Sequence, residues 1–148
     1  MAGNRIKAVT GQITTGTSAK TLLQLVAASN HKVLIDEISI SFNGVSNTAE
    51  PIKVDVLRQT SAGTMSSLTL VKDPDDWDET IQTTAQHTAT AEPTASDVLM
   101  SEHVHPQQGY TWQAPFGRQI AIGGGDRLGI RVTATASVSA IARASGEE

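Results

Sequence analysis

The last third of the chain alternates between apolar and polar residues with a period of two. Ile120 and Ile122 flank Ala121, and beyond Gly123-Gly-Gly-Asp126 the residues Leu128, Ile130 and Val132 alternate with Gly129, Arg131 and Thr133. Alternation of this kind buries one face and wets the other, as in an antiparallel strand. Even-numbered apolar residues continue through Ala134, Ala136, Val138, Ala140 and Ala142, opposite Thr135, Ser137, Ser139 and Arg143. That parity predicts one long bent strand or two strands joined by an odd-length turn. A strand pair at this end of the chain needs earlier strands to cover its apolar face.

The earlier sequence supplies them. Lys32 to Phe42 carries Leu34, Ile38, Ile40 and Phe42 on one face, opposite Glu37, Ser39 and Ser41; Asn43-Gly44 then signals a turn. Ile52, Val54 and Val56 alternate with Lys53, Asp55 and Arg58 between Pro51 and Arg58. Arg5 to Ile13 reads as a short strand, and Thr14 to Ala19 as a turn. Thr21 to Ala27 would also suit a helix, but it is short and sits among strands, so it is assigned as one. Thr60 to Ser67 reads as loop, Leu68 to Val71 as a short edge strand, and Asp73 to Glu79 as a polar loop. Thr80 to Thr90 is strand-like but weakly hydrophobic, which predicts an edge or surface position. Val98, Met100 and Val104 form another alternating segment, stopped by Pro106, and Tyr110-Thr-Trp-Gln113 leads into the final third. Eight to ten short strands with regular turn signals predict a single-domain, all-β antiparallel β-sandwich, read as a jelly roll. The sandwich is expected over 8–148, with a short flexible N-terminal arm over 1–7.

Charge and composition narrow the function classes. A formal net charge of −4, with lysines and arginines scattered along the chain, argues against nucleic acid or an anionic membrane as the main partner. The absence of cysteine means no disulfide and favours cytosolic synthesis. Met1 to Lys7 contains no apolar run of the signal-peptide kind.

Candidate chemistry is sparse. His103 and His105, at i and i+2 on a strand, could serve a metal as in cupins. The carboxylate and the later histidine of that pattern are missing, so solvent-facing or interface histidines are preferred. Asp73, Asp75, Asp76, Asp78 and Glu79 could offer oxygen ligands to calcium, but Pro74 and Trp77 break the register and the EF-hand glycine is missing. The Gly123 to Asp126 stretch precedes a strand rather than a helix, so it is a turn and not a phosphate cradle. No nucleophile elbow occurs. Tyr110, Trp112 and Phe116 form the one aromatic cluster, suited to sugar stacking, a protein interface, or closing the end of the sandwich. No catalytic residue, metal site or cofactor is expected, and no enzyme activity.

The ending Gly125-Asp-Arg-Leu-Gly-Ile-Arg-Val-Thr-Ala134, the small-residue strand after it and the acidic tail Gly146-Glu-Glu148 resemble small proteins of tailed-phage virions. The opening, a short arm followed by Thr-, Ala- and Ser-rich strands, is similar as well. The family is the head decoration (cement) proteins with jelly-roll or tulip-like β domains. The resemblance implies a homotrimer at local threefold sites of the expanded capsid, bound to the major capsid protein on the virion surface after synthesis in the host cytoplasm. On that reading the basic residues of the arm, Arg5 and Lys7, bind the capsid, and deleting 1–7 should weaken binding while leaving the fold intact. One rival is a carbohydrate-binding or adhesin-like module using Tyr110, Trp112 and Trp77; another is a metal-dependent cupin-like enzyme using His103 and His105.

Overall fold

The structure, a computed structural model, describes residues 3–43, 50–73 and 78–148. It is all-β, and two antiparallel sheets pack face to face around one aliphatic core. The strands in chain order are β1 (Arg5–Val9), β2 (Ile13–Thr14), β3 (Lys20–Val26), β4 (Val33–Asn43), β5 (Ile52–Gln59), β6 (Thr64–Leu68) and β7 (Val71–Lys72). Then come β8 (Thr84–Ala91), β9 (Ala95–Val104), β10 (Tyr110–Gln113), β11 (Ile120–Ile122), β12 (Arg127–Thr133) and β13 (Ser139–Glu147). The first sheet runs β10-β4-β13-β1-β7, with β11 also on β4 and β2 also on β13; the second runs β6-β8-β3-β12-β5-β9. The expected antiparallel β-sandwich is therefore the observed architecture.

The final third resolves into two strands lying in opposite sheets. β12 is flanked by β3 and β5, whereas β13 lies between β4 and β1. The odd-length connection 134–138 keeps even residues inward, with Ala134 and Val138 buried at either end. The glycine turn likewise passes from β11 in the first sheet to β12 in the second, so it closes no hairpin.

Several assignments shift. β1 begins at Arg5, so residues 5–7 of the expected arm are strand, paired to β13 and β7 with Ile6 and Ala8 in the core. Within β4 the inward residues are Val33 and Ile35, then Ile38 and Ile40; Leu34 is only half-buried. The register against β13 shifts between Ile35 and Glu37, and this bulge at Asp36 reverses the parity that unbroken alternation predicted. β6 occupies part of the stretch read as loop, because its exposed edge position needs no apolar alternation. β8 sits between β6 and β3 instead of at an edge. The Gly44 turn signal lies outside the described residues.

β3 explains why its sequence was ambiguous. Leu22, Leu23, Gln24 and Leu25 are all buried, as in a strand covered on both faces. Leu23 and Leu25 pair with Ile130 and Leu128 of β12 and face the core. Gln24 turns to the other side, where its Nε2 donates to Gln59 Oε1 (2.7 Å) and to the carbonyl of Ser61 (3.1 Å). Gln59 in turn donates to Thr21 Oγ1, and Glu92 accepts from the Thr21 amide and hydroxyl, both at 2.7 Å. The loops after β5 and β8 are thereby fastened over the outer face of the second sheet.

Candidate functional site

Two open surfaces stand out among the described residues: edge strand β9 of the second sheet, with Val98 and Leu99 exposed, and the outer face of the first sheet, which gathers more charged residues and is described next. Side chains alternate across a strand, so residues paired by register share a face. Thr111, Ser39, Arg143 and Val9 form one row across β10, β4, β13 and β1; Gln113, Glu37, Ser145, Lys7 and Val71 form the next. Both rows point away from the core. The charged half of this face is internally paired. Lys7 Nζ lies 3.3 Å from Asp73 Oδ2, Arg5 Nε donates to the Asp73 carbonyl (3.1 Å), and Arg143 binds Glu37, which also accepts from Gln113. These groups line a shallow depression of about 260 Å³ with Asp36, Ser145 and Gly146. The other half is mixed: Val9 and Ile141 are 50% and 39% exposed, and with the polar Ser39, Ser41 and Arg143 they line a groove of about 270 Å³.

Arg5 and Lys7 thus stand on a sheet face in fixed register rather than on a free arm. Exposed pairs of this kind contribute little to stability, so their charges remain available to a partner. Val9, Ile141 and Arg143 were not singled out in the sequence. The signal was present at Ile141, an apolar residue at an odd position in a segment whose apolar residues are otherwise even-numbered.

The aromatic cluster divides. Tyr110 and Trp112 pair with Ile40 and Ile38 and are half-buried against the core, which makes them edge-closing residues of the sandwich. Burial, aided by the negative charge of Glu102, pushes the Tyr110 hydroxyl pKa up. Phe116 is fully exposed. It occupies a tight turn closed by the Arg118 amide on the Pro115 carbonyl (2.8 Å), with Gly117 at φ +73°. That is the type II pattern, in which the third residue takes positive φ. The Ala114 amide ties the turn to the Asp36 carbonyl at the β4 bulge. Trp77 lies outside the described residues.

The remaining candidates do not converge. His103 is exposed on β9, while His105 lies beyond that strand and its Nδ1 accepts from the Gln107 amide (3.2 Å). Among the described residues no cluster of three or more His, Asp or Glu is placed to hold a metal. Asp75 and Asp76 of the acidic loop fall outside the described residues, and Asp73 is engaged with Lys7.

Two carboxylates that sequence reasoning passed over are held in place by the fold. Burial raises the pKa of Asp55, but the Ser101 hydroxyl (2.7 Å), Arg131 (3.1 Å) and Lys53 outweigh it and hold the carboxyl below its ordinary value. Glu148 is likewise raised by burial and lowered further by the Thr83 hydroxyl (2.6 Å), the amides of Gln82 and Thr83, and Asn4. Asp55 joins edge strand β9 to β5 and β12, and Glu148 fastens the segment before β8. Both act in architecture. Comparison of the chain with family models, with curated proteins and with solved structures finds no match in any of the three.

Proposed function

We propose that this chain is a capsid decoration protein of a tailed-phage head, a homotrimeric structural subunit that binds the major capsid protein through the outer face of its first sheet. The observation that carries the reading is that face itself. Arg5 and Lys7 project from a strand paired on both sides, beside exposed Val9, Ile141 and Val71. A rigid patch of mixed charge and aliphatic surface suits contact with another protein, and repetition on a shell converts modest single contacts into durable attachment.

The strand order supports the jelly-roll part of the reading. Without β6, β7 and β8, the sheets read β1-β13-β4-β10 and β3-β12-β5-β9, the interleaved order that two Greek keys give. The strands β6 to β8 are then an insertion between β5 and β9. Inward-facing Tyr110 and Trp112 speak against a sugar-stacking platform.

The test is co-sedimentation with empty expanded heads assembled from the major capsid protein encoded in the same genome. Wild type should sediment with the heads, and Arg5→Glu/Lys7→Glu should bind about tenfold more weakly or worse while melting normally. Wild type left in the supernatant would remove the reading.

A further inference from the structure

A third depression shares no residue with the two on the first sheet and gathers acceptors that the fold leaves unused. It is a cleft of about 320 Å³ lined by Asn4, His31, Glu79, Thr80, Gln82 and Glu148. That volume lies at the low end of the range of small-molecule sites, roughly 300–1,000 Å³, and far exceeds the ~30 Å³ share of a single water. Asn4 is 4% exposed, and its Oδ1 has no hydrogen-bond partner. Turning the amide over does not cure this. Nδ2 donates to Glu148 Oε1 (3.4 Å), and the reverse placement would set two acceptors against each other. Buried acceptors are ordinarily paired, so an orphan on a residue that lines a cleft marks a place for a donor.

The charge of the cleft says which donor. Glu148 is fixed in position by the amides of Gln82 and Thr83 and by the Thr83 hydroxyl, and the Glu79 carboxylate has no hydrogen bond or ion pair among the described residues. Lys72 Nζ donates to the Glu79 carbonyl (3.0 Å), which ties down the backbone at the rim. Two carboxylates and an amide oxygen around one cleft favour a cation that carries its own N–H donors. A metal ion fits poorly, because no three His, Asp or Glu among the described residues are placed to hold one and the Glu148 oxygens already accept from Gln82, Thr83 and Asn4. We propose that this cleft binds a small organic amine through a primary ammonium group seated among Asn4 Oδ1 and the carboxylates of Glu148 and Glu79. The three N–H donors of an ammonium match these three acceptors. The site stands independently of the capsid reading.

Titration of the isotope-labelled protein with the diamine putrescine at neutral pH, followed by NMR, tests it. Saturable shifts are expected at the Asn4 side-chain amide and at the backbone amides of Gln82 and Thr83. The uncharged diol of the same chain length should cause none. Glu79→Gln removes a carboxylate that makes no contact in the fold, so this variant should melt like the wild type and bind about three- to tenfold more weakly. Asn4→Ala should bind about tenfold more weakly or worse; if it does not fold, Glu79→Gln decides alone. Failure to saturate, shifts scattered over the other acidic residues, or equal binding by Glu79→Gln overturns the site. Movement of the same amides by calcium chloride but not by the diamine overturns the ammonium assignment. Tighter binding of a capped lysine than of the diamine overturns the small-molecule part and gives the cleft to a protein lysine.

Discussion

At the scale of single residues, the molecule depends on polar groups that the fold has enclosed. The Asp55 side chain is 2% exposed and is satisfied by Ser101, Arg131 and Lys53. Its partners Arg131 and Lys53 keep 23% and 49% of their side-chain surface exposed, so water compensates part of the loss and Asp55→Ala should cost about 1–3 kcal/mol in urea unfolding. Asp55 and Glu148 have folded pKa values below their ordinary ones. Their stabilisation is present above the unfolded carboxylate range and is lost as pH falls through the lowered folded values. Stability should therefore hold from neutrality to about pH 5 and decline below about pH 4, and Asp55→Ala should flatten that decline. Gly146 gives a steric counterpart. A Cβ there would lie 2.2 Å from the Leu34 carbonyl oxygen, a backbone atom that cannot swing aside. Gly146→Ala should cost about 1–3 kcal/mol, read from the urea midpoint, whereas Phe116→Ala should change stability by less than about 0.5 kcal/mol.

At the scale of elements, β1 matters most for how the protein is to be dissected. It is hydrogen-bonded on both sides and buries Ile6 and Ala8, so Ile6→Ala should cost about 2–5 kcal/mol and deleting residues 1–7 should cost more. A deletion variant with an unchanged melting curve would return these residues to the status of an arm. The sequence made the sandwich legible because most core strands alternate: β5, β12 and β13 could be read directly from Val54 and Val56, Ile130 and Val132, Ala140 and Ala142. It misled where register breaks. The bulge at Asp36 moves Leu34 out and Ile35 in, and no residue type there marks it. Edge strands β6 and β7 carry little apolar pattern because little of them is buried. β3 defied a periodic reading because loops cover its outer face, a tertiary fact absent from its own seven residues. The candidate site was legible only in part. Arg5, Lys7 and Phe116 could be picked out by type, but the outer-face rows that join Lys7 to Glu37 and Val9 to Arg143 follow from strand pairing across more than 100 residues of chain.

At the scale of the whole molecule, the two outer faces of the sandwich are built differently. The outer face of β3 in the second sheet is covered by loops fastened through Gln24, Gln59, Thr21 and Glu92, while the outer face of the first sheet is open and patterned. A folded subunit of this design can act by surface contact alone, with charge and apolar area held in register by the sheet. Quantitative co-sedimentation of the wild-type protein with expanded and with unexpanded heads puts the capsid proposal to the test. A capsid decoration protein should bind expanded heads alone, saturably and in multiples of three copies per local threefold site. Equal recovery with both head forms, or none with either, would contradict it.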